Sequence, residues 1–157
     1  MPKVLAFNHF NVTVSDMDRS LVFWRDTLGL ELLGRGIVEY AHLDEIVGLA
    51  NTRIEWAELA LPGGGMIEVF QYHRPTGRAV RPRIPDPGCT HVCLEVEELD
   101  QLVERLRVAG VNTRSRRAVR IPFGDWKDVK SIYVQDPDGI TVELIEKPAE
   151  LPQRSAS

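Results

Sequence analysis

Two histidines and two glutamates carry the chemistry this sequence offers: His9 and Glu68 in its first half, His91 and Glu143 in its second. The segments that hold them repeat. NHFNVTVSDMD at 8–18 aligns with THVCLEVEELD at 90–100, superposing the histidines and the closing Asp18 and Asp100, and LPGGGMIEVF at 61–70 aligns with DPDGITVELI at 136–145, superposing the glutamates. Self-similarity of this kind marks one supersecondary unit used twice. Two imidazoles and two carboxylates suit a borderline divalent ion such as zinc, nickel, cobalt, manganese or ferrous iron, and suit calcium poorly. Each glutamate stands between apolar neighbours, Ile67 and Val69 or Val142 and Leu144. A carboxylate in such a strand is costly unless it is paired, exposed or bound to a cation.

A rival thiolate site, Cys89-x-His91-x-Cys93, is disfavoured, because same-face neighbours on an extended strand rarely all reach one ion. The basic run Arg114-Ser115-Arg116-Arg117 with Arg120 reads first as a solvated face and second as a clamp for an anion or carboxylate.

The elements that must position these residues follow from periodicity. Residues 4–14 alternate as a strand, with Phe10, Val12 and Val14 on one face and Phe7, His9, Asn11 and Thr13 on the other. Ser15 or Asp16 caps a helix whose Met17, Leu21, Trp24 and Leu28 keep helical spacing until Gly29, with Trp24 read as core. Short strands are expected at LELL and GIVEYAHL, and a loop from Asp44 to Thr52. RIEWAELAL at 53–61, the PGGG turn and MIEVFQY at 66–72 form a hairpin. Residues 1–72 are therefore one module and the Pro- and Arg-rich 73–88 a connector. Residues 89–147 repeat the plan with a helix from Leu99 to Ala109 ended by Gly110. The tail at 148–157 is expected to be disordered.

The chain has 157 residues, 43% of them hydrophobic, enough for a sizeable core. A net charge of -4 argues against a nucleic-acid footprint. No apolar run approaches the roughly 20 residues of a membrane span, and Met1-Pro2-Lys3 precedes no signal-like segment, so a cytoplasmic location is expected.

HFNVTVSDMDRSLVFWRDTLGLELL at 9–33, CTHVCLEVEELDQLVERLRVAGV at 89–111 and YVQDPDGITVELIE at 133–146 resemble the vicinal oxygen chelate superfamily. This is the family of glyoxalase I, methylmalonyl-CoA epimerase, extradiol dioxygenases and bleomycin-resistance proteins. The resemblance implies an α+β fold of two paired βαβββ modules curled into a cup around one divalent metal ion. His9, Glu68, His91 and Glu143 match its four ligand positions. By strand alternation Asn11, Cys93 and Tyr133 line the cup, with Met66 and Phe70 beside Glu68.

Within that family, ring-cleaving dioxygenases use two His and one Glu, a set that His9, His91 and Glu143 would satisfy without Glu68. Glyoxalase I carries Glu at the place of Glu68, and the epimerases commonly carry Gln. The resemblance therefore implies a metal-dependent isomerase, epimerase or lyase, with Glu68 and Glu143 as catalytic carboxylates abstracting a proton next to a polarised carbonyl. The implied partners are a small-molecule carbonyl or thioester substrate and a second copy of the chain. The alternatives are a ferrous-iron ring-cleaving dioxygenase and a metal-free small-molecule binding or resistance protein. The sequence departs from glyoxalase I in lacking a basic pair for glutathione carboxylates. It departs from the epimerases in ending its penultimate strand with SIYVQDPDG.

Overall fold

A computed structural model describes residues 1–149, and the residues at 150–157 of the expected disordered tail lie outside the described ones. The chain divides into two compact units, Met1–Arg83 and the part from Ile84 onward. The first comprises β1 (His9–Thr13), α1 (Met17–Leu21), β2 (Leu32–Val38), α2 (Ala41–Val47), β3 (Arg53–Ala60) and β4 (Met66–Arg74). The second comprises β5 (His91–Glu95), α3 (Leu99–Val108), β6 (Val119–Arg120), β7 (Lys130–Gln135) and β8 (Thr141–Glu146). Each unit is one four-stranded sheet, ordered β1-β4-β3-β2 or β5-β8-β7-β6. In both, the first strand pairs parallel with the last and the remaining pairs are antiparallel. The internal repeat is thus a repeat of topology, and each unit is a βαβββ module, the first carrying α2 as an insertion.

Alternation decides which face is buried. Val12, Ala57, Leu59, Ile67 and Val69 form one side of the first sheet, and Met17, Leu21, Phe23 and Trp24 supply the helix; all are buried. Trp24 is fully buried, with its ring edge-on to Phe23 at 5.1 Å, as expected of a core residue. In the second unit Leu99, Val103 and Leu106 recur at helical spacing, buried like Ile132, Val134, Val142 and Leu144 of the sheet. Full burial of each such side chain is worth about 1.5–3 kcal/mol, so the helices are held by packing rather than by propensity.

Asp16, not Ser15, caps α1 by accepting from the Arg19 amide at 2.8 Å, and Gln71 of β4 takes the Met17 amide at 2.7 Å. The helix continues as a π-helical segment, Val22–Thr27, and ends where Gly29 adopts a left-handed φ of 79°.

Four expectations need correction. The first strand begins at His9 rather than residue 4, because its ladder partner β4 begins only at Met66, after the glycine turn. LELL and GIVEYAHL do not form two strands: Leu32–Val38 is one strand running through Gly34 and Gly36, and Ala41–Leu43 belong to α2. The expected loop from Asp44 is helical to Val47; Gly48 at φ 69° closes α2, and the Asp44 carboxylate accepts from the Asn51 and Thr52 amides at 2.9 and 2.8 Å. The first hairpin's returning strand also runs on to Arg74.

Candidate functional site

The parallel pairing of first and last strand builds the same small constellation in each unit. In the first, Asn11 lies opposite Glu68, so His9 stands diagonal to it; in the second, Cys93 lies opposite Glu143, with His91 diagonal. His9 Nε2 is 3.4 Å from Glu68 Oε2, and His91 Nε2 is 3.3 Å from Glu143 Oε2. Side-chain exposures match as well, 41% and 20% in the first pair against 42% and 21% in the second, so the two pairs are equally open to solvent as well as equivalently placed. Ile67, Val69, Val142 and Leu144 are fully buried, which turns both glutamates to the face away from the helix, as alternation requires.

The surroundings differ. His9 Nδ1 lies 2.7 Å from Asn8 Oδ1. A carboxamide oxygen only accepts, so Nδ1 is the donor of this contact, and in the neutral ring Nε2 is the nitrogen left with a lone pair on the Glu68 side. Asn11 Nδ2 donates to Glu68 Oε2 at 3.2 Å, leaving Oε1 without a partner among the described residues. Glu143 is held more firmly: Ser131 Oγ donates to its Oε1 at 2.7 Å, and the Cys93 thiol also donates to it. Desolvation, the Glu143 charge and that hydrogen bond push the Cys93 thiol up to about 12, so it acts as a donor and not as a thiolate. Tyr133 is the cross-strand neighbour of Glu143, its ring tilted against His91 at 5.2 Å; burial and then the Glu143 charge push its phenol upward. Tyr72 is shifted the same way by burial and Glu68.

Met66 is the cross-strand partner of His9, and Phe70 lies two residues beyond Glu68 on the same face. Two side chains that the sequence reading passed over join them. Glu58 and Trp56 of β3 pair directly with Glu68 and Phe70, and opposed residues of an antiparallel ladder share a face. Glu58 has no hydrogen bond or ion pair among the described residues. The signal was available in the alternation of RIEWAELAL, once the PGGG turn fixes the hairpin register. The basic run lies elsewhere. Arg117 and Arg120 line a cavity of about 430 Å³ with Lys130 and Asp100. Lys130 bonds Asp100 of α3 and Glu146 at 2.7 and 3.0 Å, which puts this cavity on the helix side of the second sheet.

The structure therefore brings together His9 with Glu68 and His91 with Glu143. Among the described residues no cluster of three or more His, Cys, Asp or Glu side chains gathers. The donor chemistry nonetheless fits a divalent ion. In the first pair an imidazole nitrogen lies beside a carboxylate, with a second carboxylate, Glu58, at the opposed position of β3; two carboxylates so placed repel unless a cation or proton lies among them.

Two mixed sheets of βαβββ order, each bearing one His–Glu pair, define a protein of the glyoxalase type. The family model described as Glyoxalase/Bleomycin resistance protein/Dioxygenase superfamily matches residues 6–144, and the chain belongs to that superfamily. It is 30% identical over 159 residues to a 2-epi-5-epi-valiolone epimerase of Actinomyces sp, covering 97% of this chain and 85% of the relative. It is 30% identical over 139 residues to an ethylmalonyl-CoA/methylmalonyl-CoA epimerase of Cereibacter sphaeroides, covering 87% and 94%. It is 26% identical over 139 residues to a lactoylglutathione lyase of Haemophilus influenzae, covering 88% and 90%. Among solved structures, a glyoxalase family protein from Bacillus cereus superposes with a TM-score of 0.81 at 24% identity, covering 92% of this chain and 95% of the other. These relatives are enzymes, two named as epimerases and one as a lyase. No helix of the described residues is long and apolar enough to cross a membrane.

Proposed function

We propose that the chain is a metal-dependent epimerase, isomerase or lyase that moves a proton at a carbon next to a carbonyl. His9, Glu68, His91 and Glu143 together hold one divalent ion per chain, and a homodimer is the working assembly. The observation that carries this reading is the paired geometry of His9–Glu68 and His91–Glu143, with a carboxylate where oxygen-using relatives need none. A bound ion would supply Lewis-acid polarisation of the carbonyl oxygen, which acidifies the neighbouring C–H.

The chain's own groups divide the remaining work. Asn8 fixes the His9 ring with Nε2 forward, and Asn11 holds Glu68 by Oε2 alone. Glu68 Oε1 is then the atom that takes the proton, since it has no competing donor. Glu143, fastened by Ser131 and Cys93, is the second acid–base group: when configuration is inverted it returns to carbon a proton drawn from solvent, and Glu68 releases the proton it took to solvent.

Metal content of the purified protein, loaded in turn with zinc, nickel and cobalt, is measured beside proton–deuterium exchange on 2-oxo thioesters, hemithioacetals and keto sugars under argon. Exchange without oxygen uptake is expected. Glu68→Gln should lower it by about 10²–10⁴-fold while metal content is kept. Full turnover in Glu68→Gln with metal retained would overturn the role of Glu68, and oxygen consumption with a catechol and ferrous ion would overturn the reaction class.

A further inference from the structure

Three features, none of them a metal ligand, lie on the face of the first sheet that carries Glu68: Trp56, the two glycines of β2 that it covers, and Glu58. Trp56 lies across β2: a Cβ added at Gly36 would stand 3.1 Å from its Nε1, Cε2 and Cζ2, and one at Gly34 would stand 3.2 Å from Cη2 and Cζ3. Near-equal distances to adjacent ring atoms place one broad face of the indole down on the two glycines. Any side chain at either position would lift it. The other face has no aromatic partner, and Nε1–H has no acceptor, among the described residues. Glu58, two residues on along the same face, is an acceptor without a donor.

We infer that this surface selects the substrate, and that the substrate is a neutral, polyhydroxylated ring ketone. The inference rests on the proton-transfer reading of the His9–Glu68 site. A saturated ring presents a flat array of C–H bonds that packs on an indole face, its hydroxyls donate to a carboxylate, and one of them accepts from the indole N–H. The charges select against the alternatives. A malonyl or glutathionyl substrate brings carboxylates, which Glu58 repels, and no lysine or arginine lies on β3 or β4 between Trp56 and Tyr72 to offset it. Trp56 is thus a stacking and specificity residue, and Glu58 a hydroxyl acceptor.

The probes are 2-keto-myo-inositol as the ring ketone, methylmalonyl-CoA as the anionic thioester and the glutathione–methylglyoxal hemithioacetal. Each is titrated into the zinc-loaded protein and read by tryptophan fluorescence and calorimetry, with deuterium exchange followed separately. The ring ketone should quench wild-type fluorescence and leave Trp56→Leu unquenched. Trp56→Leu should weaken binding or raise KM about tenfold with kcat within about threefold, Trp56→Phe should retain most affinity, and Glu58→Gln should weaken binding about three- to tenfold. Circular dichroism confirms that each variant is folded. Binding of the ring ketone without exchange would leave this substrate class standing and remove the proposed reaction. Exchange on either anionic probe without binding of the ring ketone would keep the reaction and overturn the substrate class. Failure of the ring ketone to bind, or equal binding by Trp56→Leu, would also overturn it.

Discussion

Replacing Arg35 by Ala tests how the glycine strand under Trp56 is pinned. Arg35 lies between Gly34 and Gly36 on the opposite face of β2, where its guanidinium reaches Glu55 of β3 and Asp18 of α1, both at 2.6 Å. Asp18 is 81% exposed, so that contact is worth only a few tenths of a kcal/mol. Glu55 is 16% exposed and also touches His73 at 3.1 Å, so losing Arg35 leaves a largely covered carboxylate with one weaker partner. A cost of about 1–2 kcal/mol is expected for that loss. In a chain of this size the total corresponds to a fall in Tm of about 3–8 °C by calorimetry at pH 7.

The pH dependence has a definite sign. Burial pulls the Glu55 carboxyl upward, but hydrogen bonds from Arg35 and His73 hold it below its ordinary value. The stability it contributes is therefore present above the unfolded carboxylate pKa of about 4.3 and lost as pH falls below it. The gap between wild type and Arg35→Ala should narrow from pH 7 to pH 3. Trp56 emission should also shift to the red in the variant as β2 loosens. A gap constant from pH 7 to pH 3, or an unchanged Tm, would refute the reasoning.

Asn8→Ala frees the His9 ring, and metal affinity measured by competition with a chromophoric chelator should fall about 10–100-fold with little change in Tm. Asp136, 3% exposed in the turn before β8, has its carboxyl pushed up to about 6 by burial, against the hydrogen bonds it accepts from the Ile140 and Asp138 amides. Its contribution is complete below the unfolded value near 3.9 and is lost as pH rises through about 6, an effect of about 3 kcal/mol. Urea unfolding at pH 4 and pH 7.5 should therefore show wild type losing ground to Asp136→Asn at the higher pH, and parallel behaviour would exclude it.

The parts of the fold that were legible in the sequence are those where one face is buried against a helix. Val12, Ile67, Val69, Val142 and Leu144 enforce a period of two, and that period alone turns Glu68 and Glu143 to the other face. The helix α2 was not legible because it has no buried residue: its Leu43, Ile46 and Val47 serve no packed stripe, and Tyr40 gives no side-chain cap. Residues 4–8 alternate like a strand yet lie outside the ladder, since propensity cannot supply a missing partner. Asn8 and Ser131 escaped notice because their roles lie in a single hydrogen bond each, at 2.7 Å, which no repeat or period announces. Trp56 and Glu58 escaped for a different reason. They have no counterpart in the second module, where Tyr133 faces Glu143, so a search for repeated residues passed over them.

That lack of a counterpart has an evolutionary consequence. A duplicated module starts with two interchangeable carboxylates, and selection on one copy's flanks can differentiate them without disturbing either sheet. Here Asn11 and Glu58 flank one carboxylate, while Cys93, Ser131 and Tyr133 flank the other. Substrate preference can drift through β3 of the first copy while the second copy conserves its grip on Glu143. Paralogues should therefore vary most at the positions of residues 34, 36, 56 and 58.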